Sequence, residues 1–261
     1  MHRLPPKGEA PGYLLVFCRD NPQCKDWDFF RNNYPTTYGK LKKLVFEQQE
    51  YLCAYCEDKL PAADKSSLRI EHFHPKSHDD SEHNWTFDWE NMLGCCMGGS
   101  TDRIPADSDE KKASTLHCDA HKETCKTQNY FNGDLLNPLT MPFECLFDID
   151  RATGELKPNE TMCAKVSVPN NIYGSVSQLV SATIRILNLN CTSLNEKRLL
   201  VIGEFERKRR LKRQNPRANK KSIRTEIARE WFEGRSPSFY TTRRILLGDY
   251  AEQFILQRGT W

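Results

Sequence analysis

A chain of 261 residues is long enough to bury a core without covalent staples, and its 11 cysteines, an odd number, cannot all pair within the molecule. The formal net charge of +3 hides an asymmetry: residues 206–224 hold ten Lys/Arg and one acidic residue, about +9, which leaves about −6 on the rest. No apolar run reaches the ~18–20 residues a membrane span needs, and the N-terminus lacks the apolar region and cleavage site of a signal peptide. A cytoplasmic protein without a membrane partner is expected, and in that compartment cysteines are metal ligands or buried thiols rather than disulfides.

Residues 1–35, rich in proline and aromatics, read as an irregular arm with a short helix around Trp27 to Asn32. From Thr36 to Leu52 a helix is predicted, capped by Thr36 or Thr37, with Leu41, Leu44, Val45, Gln48 and Leu52 on one stripe. It delivers the chain to Cys53-Ala-Tyr-Cys56, where two intervening residues let two thiolates reach one tetrahedral zinc at about 2.3 Å. A redox pair is the competing reading of CxxC. No βαβ pattern surrounds it and more cysteines follow, which favours zinc.

The alternation of Leu68, Ile70 and Phe73 predicts a short strand that carries Glu71 and His72, with a turn at Pro75. Trp85 to Trp89 is aromatic and β-prone, and it leads through Asn91 to Cys95, Cys96 and a Gly-Gly turn. Ser100 to Ala113 is polar and acidic, the composition of a surface insertion. His117 to Lys122 (HCDAHK) then packs five candidate ligands or phosphate contacts into six residues. Cys18, Cys24, Cys125, Cys145, Cys163 and Cys191 read as small buried hydrophobes.

Further on, turn and strand signals predict a β-hairpin across Leu146–Leu156. Val176, Leu179, Val180, Thr183, Ile184 and Leu187 repeat at helical spacing as a buried face. Three more helices are expected: one from about Leu194 into the basic segment, one over Ile223–Phe232 and one over Thr241–Leu256. The basic helix should break at Asn215-Pro216 and resume near Ser222. The predicted class is α+β, with a core that carries the zinc-binding cysteines at 36–130 between the N-terminal arm and a mainly helical region at 131–261.

Taken together, Cys53-x-x-Cys56, Glu71-His72-x-x-Pro75, Asn91-Met-Leu-x-x-Cys96 and Cys118-Asp119-x-x-Lys122 resemble the zinc-containing ββα-metal (HNH) endonucleases. More narrowly, LCAYCE, IEHFHPKS and the later ILNLN at Ile186–Asn190 resemble the PtuB group of HNH proteins, found in Septu and retron anti-phage systems. The resemblance implies a structural Zn²⁺ on Cys53, Cys56, Cys96 and Cys118, and a catalytic Mg²⁺ or Mn²⁺. In a compact HNH unit the last two cysteines sit two residues apart, whereas here 21 residues separate Cys96 from Cys118. The ligand set survives if that insertion loops out; otherwise Cys95 or Cys125 substitutes.

His72 suits the general base because imidazole titrates near neutral pH. The resemblance gives Glu71 a metal-ligand role, gives Asn91 the orienting of the base, and puts Asp119 at the second ligand position, with His121 as its competitor. Lys76 and Lys122 are candidate phosphate contacts, as are Arg209, Arg210 and Arg213 on the basic helix. His74 is expected in a substrate or structural hydrogen bond, and His78, His83 and His117 in surface or packing roles.

The function so implied is an endonuclease of an anti-phage system that acts on DNA or structured RNA such as tRNA. Its implied partners are a PtuA-like ATPase and, in a retron, the reverse transcriptase with its RNA–DNA product. No GxxxxGK[ST] loop is present, so any ATP dependence comes from elsewhere. A zinc-stabilised binding or adaptor subunit without turnover and a stand-alone restriction-type endonuclease are the alternatives.

Overall fold

The computed structural model describes residues 1–78, 80–100, 115–124, 133–214 and 219–257. The insertion expected at 100–113, the alternative ligand Cys125 and the break at Asn215-Pro216 lie almost wholly outside these residues.

The N-terminal 35 residues are more ordered than expected: α1 spans Gly12–Asp20 and α2 spans Trp27–Asn33. Asp26 caps α2 by accepting from the amides of Asp28 and Phe29, both at 2.9 Å. Helix α3 spans Pro35–Gln48 and starts one residue before the expected threonine cap, because Pro35 takes the first helical position, where no N–H is needed. It ends before Leu52, since Glu50 and Tyr51 turn to positive φ.

Strand β1 (Leu68–His72) pairs antiparallel with β2 (Met92–Cys96), with Glu71 opposite Leu93 and His72 opposite Met92. Helix α3 lies against this pair so closely that a Cβ on Gly94 would meet the Phe46 ring at 2.8 Å. The β-prone Trp85–Trp89 stretch forms no strand. Asp88 caps a single 3₁₀ turn at Trp89–Asn91, and Phe87 and Trp89 put their rings into the core instead. The short helix α4 (Cys118–Lys122) packs against β2.

Strands β3 (Phe147–Ile149) and β4 (Leu156–Pro158) form the expected hairpin. Then come α5 (Glu160–Cys163), α6 (Val176–Ile186), α7 (Thr192–Lys212) and α8 (Lys220–Phe232). The single last helix expected over Thr241–Leu256 is two, α9 (Tyr240–Leu247) and α10 (Asp249–Gln257). Gly248 at φ 59° turns the chain between them.

The architecture is α+β, with small sheets among many helices. One buried core joins the cysteines at 53, 56, 96 and 118 to Leu136, Leu187, Phe205 and Ile255. A second lies under α1–α3, where Leu14, Phe17, Trp27 and Phe30 close over Ile70 and Met92. The β1–β2 pair contributes to both cores, so the residues at its end are held from two sides. No helix among the described residues is long and apolar enough to cross a membrane.

Candidate functional site

Cys53, Cys56, Cys96 and Cys118 are all buried, and their sulfurs lie within 4.8 Å of one another. The Cys53–Cys118 and Cys56–Cys96 sulfur pairs are 3.8 Å apart, far beyond a disulfide bond. A tetrahedron with metal–sulfur bonds of about 2.3 Å has edges of about 3.8 Å, so the donor set and its spacing fit a structural metal such as zinc. Burial raises the Cys53 thiol, but hydrogen bonds from Cys118, Cys56, Cys95 and Cys96 outweigh it and hold the group well below its ordinary value. The amide of Cys96 also donates to Cys53 Sγ at 3.4 Å, and His117 Nε2 lies 3.8 Å from Cys96 Sγ.

The long separation of Cys96 from Cys118 therefore leaves the cluster intact. The His117 amide donates to the Gly98 carbonyl at 3.0 Å, which closes the neck of the intervening segment. Gly98 has φ 58°, and a Cβ there would lie 2.1 Å from the His117 oxygen, so only glycine fits. Cys95, the alternative ligand, is buried but stands outside the four-sulfur group.

Beside this cluster two carboxylates meet. Glu71, on the face of β1 opposite to His72, accepts from Lys122 Nζ at 2.7 Å and from Tyr55 Oη at 3.3 Å. Asp119, 2 % exposed, is hydrogen-bonded to Glu71. Burial and then the charge of Glu71 push Asp119 well above the usual carboxylate range. Burial raises Glu71 too, but Lys122, the Asp119 hydrogen bond and His72 hold it below the ordinary value. Arg69 Nε lies 2.8 Å from Asp119 Oδ2, yet that oxygen has no aligned hydrogen-bond donor.

His72 stands edge-on to Trp27 with ring centroids 4.5 Å apart, and its Nε2 lies 2.9 Å from the Thr86 carbonyl. A carbonyl only accepts, so Nε2 carries the proton and Nδ1 keeps its lone pair. Burial takes the His72 pKa down to about 4, so the ring is neutral. Asn91 bridges the loop that follows: its Oδ1 accepts from the His74 amide at 2.6 Å, and its Nδ2 donates to the carbonyls of His74 and Trp85. His74 stacks on Trp85 at 3.7 Å and pairs with His78.

His121 Nδ1 donates to the Ile186 carbonyl at 2.8 Å, whereas Asp119 meets Glu71. Lys76 is exposed next to this loop. Lys122, expected at phosphate, is 9 % exposed in its side chain and donates to Glu71 and to the Phe73 carbonyl. On α7, Arg209 binds Glu206 and lies over the Phe205 ring, and Lys208 and Lys212 reach Glu226 and Glu230 on α8. Arg207, Arg210 and Arg213 line an open groove of about 350 Å³, with no side-chain partner among the described residues.

No protein-family model matches the chain. It is, however, 32 % identical over 247 residues to the protein named "Retron Ec83 putative HNH endonuclease" from Escherichia coli, covering 91 % of this chain and 90 % of that one. The chain belongs to the HNH endonucleases associated with retrons.

For this HNH protein, sequence reasoning missed Arg69, Tyr55 and Thr86. Arg69 was findable: it stands two residues before Glu71, so a strand puts both side chains on one face. Tyr55, inside the CxxC, carries no signal for its reach to Glu71. The part of Thr86 that matters is a backbone carbonyl, which no residue type announces.

Proposed function

We propose that this HNH protein is a metal-dependent endonuclease that cleaves phosphodiester bonds of DNA or structured RNA. In this reading it is the cytoplasmic effector of an anti-phage system, working with a PtuA-like ATPase and, in a retron, with the reverse transcriptase and its RNA–DNA product. The retron name of its relative supports that setting. The observation that carries the enzymatic reading is one juxtaposition: a neutral, oriented His72 next in sequence to one member of a buried carboxylate pair.

Each residue's role follows from its contacts. His72 Nδ1, freed by the Nε2–H bond to Thr86, accepts the proton of the attacking water. Asn91 fixes the loop that presents the Thr86 and His74 region to His72. Glu71 and Asp119 would hold the catalytic cation, which at Asp119 Oδ2 would meet an oxygen without an aligned hydrogen bond. Hard carboxylate oxygens suit Mg²⁺ or Mn²⁺, and such a cation would supply positive charge to offset that of the reacting phosphate. The four cysteines hold Zn²⁺ as a folding centre, consistent with a buried and closed site. In this scheme β1, β2 and α4 are the ββα unit of the nuclease core in 36–130, and Lys76 with the α7 arginines positions the phosphate backbone.

The test is a nicking assay on purified protein with its partner, in Mg²⁺ or Mn²⁺, set beside His72→Ala. Loss of a general base should lower the rate by about 10²–10⁴-fold with zinc content unchanged. Full activity in the variant overturns the base assignment. Binding without turnover in the wild type favours the adaptor alternative, and efficient cleavage without any partner favours a restriction-type enzyme.

A further inference from the structure

We propose that the first three residues of the ILNLN segment, Ile186–Asn188, position the nuclease site, with Asn188 as the positioning residue for Cys118 and, through it, for Asp119. The role at Asp119 rests on the nuclease reading above. The role at Cys118 stands without it.

Helix α6 ends at Ile186, and the last carbonyls of a helix have no partner within it. Here they are spent on the HCDAHK stretch. The Cys118 amide donates to the Leu187 carbonyl at 2.8 Å, and His121 Nδ1 donates to the Ile186 carbonyl at 2.8 Å. Asn188 Nδ2 donates to the Leu116 carbonyl at 2.7 Å. Three successive residues of the segment thus bind a span of six residues that contains the fourth cysteine and Asp119.

The segment is itself fixed. Leu187 and Leu189 are fully buried, and Arg198 Nη2 donates to the Leu189 carbonyl at 2.6 Å. Asn190 holds both backbone groups of Leu156 on β4, at 2.8 and 2.9 Å. Asn188 sits at φ 45°, a left-handed conformation that asparagine tolerates better than most residues.

Cys118 needs such a hold. Its φ is 56°, a left-handed conformation that is strained for a residue with a side chain and persists only where the surroundings impose it. The chain at Leu116–Cys118 runs between Gly98, bonded to the His117 amide, and the ILNLN turn, bonded on either side of it. Cys118 and Asp119 are adjacent, so a shift of the Cys118 amide moves a zinc ligand and a member of the carboxylate pair together. A displacement near 1 Å at a catalytic group is enough to cost about 10²-fold in rate.

The experiment compares three variants of the full-length, zinc-loaded protein. Asn188→Gly keeps the left-handed backbone and removes Nδ2. Asn188→Asp puts a carboxylate oxygen where the donor to Leu116 was. Asn190→Ala cuts the bonds to Leu156 and touches nothing in the HCDAHK stretch, so it reports general weakening of the same turn. The readouts are the rate of zinc transfer to a chromogenic chelator, and kcat and KM for cleavage in Mn²⁺ with the partner present.

Both Asn188 variants should release zinc about tenfold faster or more, as for the loss of one buried hydrogen bond, with Asp the faster. They should lower kcat by about tenfold with KM within about twofold. Asn190→Ala should lower thermal stability and leave zinc release and kcat at wild-type values. Wild-type zinc release in the Asn188 variants, or equal acceleration by Asn190→Ala, overturns the positioning role. Faster release with unchanged kcat overturns the link to Asp119. A wild type that cuts nothing refutes the nuclease reading, and the zinc rates still decide the role at Cys118.

Discussion

Lys122 Nζ lies 2.7 Å from Glu71 Oε1, with both side chains less than a tenth exposed. The buried Glu71 carboxylate has this ammonium as its nearest compensating charge. Removing one partner of a buried pair leaves an uncompensated charge and costs about 3–5 kcal/mol. Lys122→Met should therefore be destabilised by that order at neutral pH in zinc-loaded protein without Mg²⁺ or Mn²⁺. A cation bound by Glu71 and Asp119 restores the missing charge, so Mn²⁺ should raise the melting temperature of the variant more than that of the wild type. Equal Mn²⁺ shifts in thermal unfolding rule out a cation at this pair.

The same pair sets an acid limb. Glu71 is held below its unfolded value, so its contribution is full above the unfolded carboxylate range and is lost as pH falls through the folded value. Lys122→Met raises the folded value, so acid unfolding of the variant should begin at a higher pH than in the wild type. Circular dichroism across an acid titration measures this, and coincident curves refute it.

The four cysteines lie in the main core beside Leu93, Leu136 and Leu187, so a metal held by them would also hold that core together. Structural zinc sites supply folding free energy directly. Cys53→Ser, or prolonged chelation of the wild type, should abolish cooperative unfolding. Cys95→Ser, outside the four-sulfur group, should keep one zinc per chain. Metal content by mass spectrometry decides it: loss of zinc in Cys95→Ser redraws the ligand set.

What could be read from the residues was what local spacing encodes. The CxxC pair, the Glu71–His72 strand, the Leu146–Leu156 hairpin and α6 all follow from periods of two or 3.6 or from a two-residue gap. What escaped depended on tertiary competition. Trp85–Trp89 has strand-forming residues, but the Asp88 cap and the second core claim them for a turn. Helix α1 was invisible because its nine residues follow a proline-rich stretch and lean on Phe30 and Phe87 through Phe17. The orientation of His72 rests on the Thr86 carbonyl, fourteen residues away, and backbone atoms leave no mark on composition. Neither did density of charge reveal which cations on α7 are already paired.

That pairing sorts the basic helix into two sets. Lys208 and Lys212 are tied to α8 by Glu226 and Glu230, whereas Arg207, Arg210 and Arg213 face the groove. Each phosphate contact contributes about 0.9 to the slope of log K against log salt. Charge reversal at Arg207, Arg210 and Arg213 should lower nucleic-acid affinity and reduce that slope by about two to three, with partner binding retained. Lys208→Gln with Lys212→Gln should leave the slope near wild type and cost at most about 1 kcal/mol of stability, as for exposed ion pairs. Loss of partner binding but not nucleic-acid binding in the arginine variant would make this face a docking surface.

Lys7 reaches from the N-terminal arm to the start of β2, where Nζ donates to the Trp89 carbonyl at 2.7 Å and to the Met92 carbonyl, over the Trp89 ring at 3.6 Å. These carbonyls flank Asn91, so the lysine braces the loop that serves His72. Burial pulls its pKa down from 10.5 to about 7, against the opposing pull of Asp88 and Glu90. Between those two values the unfolded chain binds more protons than the folded one, so this group makes stability rise with pH. The rise is at most about 1.4 kcal/mol per pH unit for one proton. Lys7→Met removes this slope and leaves two carbonyls without their donor, which costs about 1–3 kcal/mol at every pH. Urea midpoints at pH 7, 8, 9 and 10 should therefore show the wild type gaining on the variant as pH rises, and parallel curves would show that Lys7 keeps its ordinary pKa.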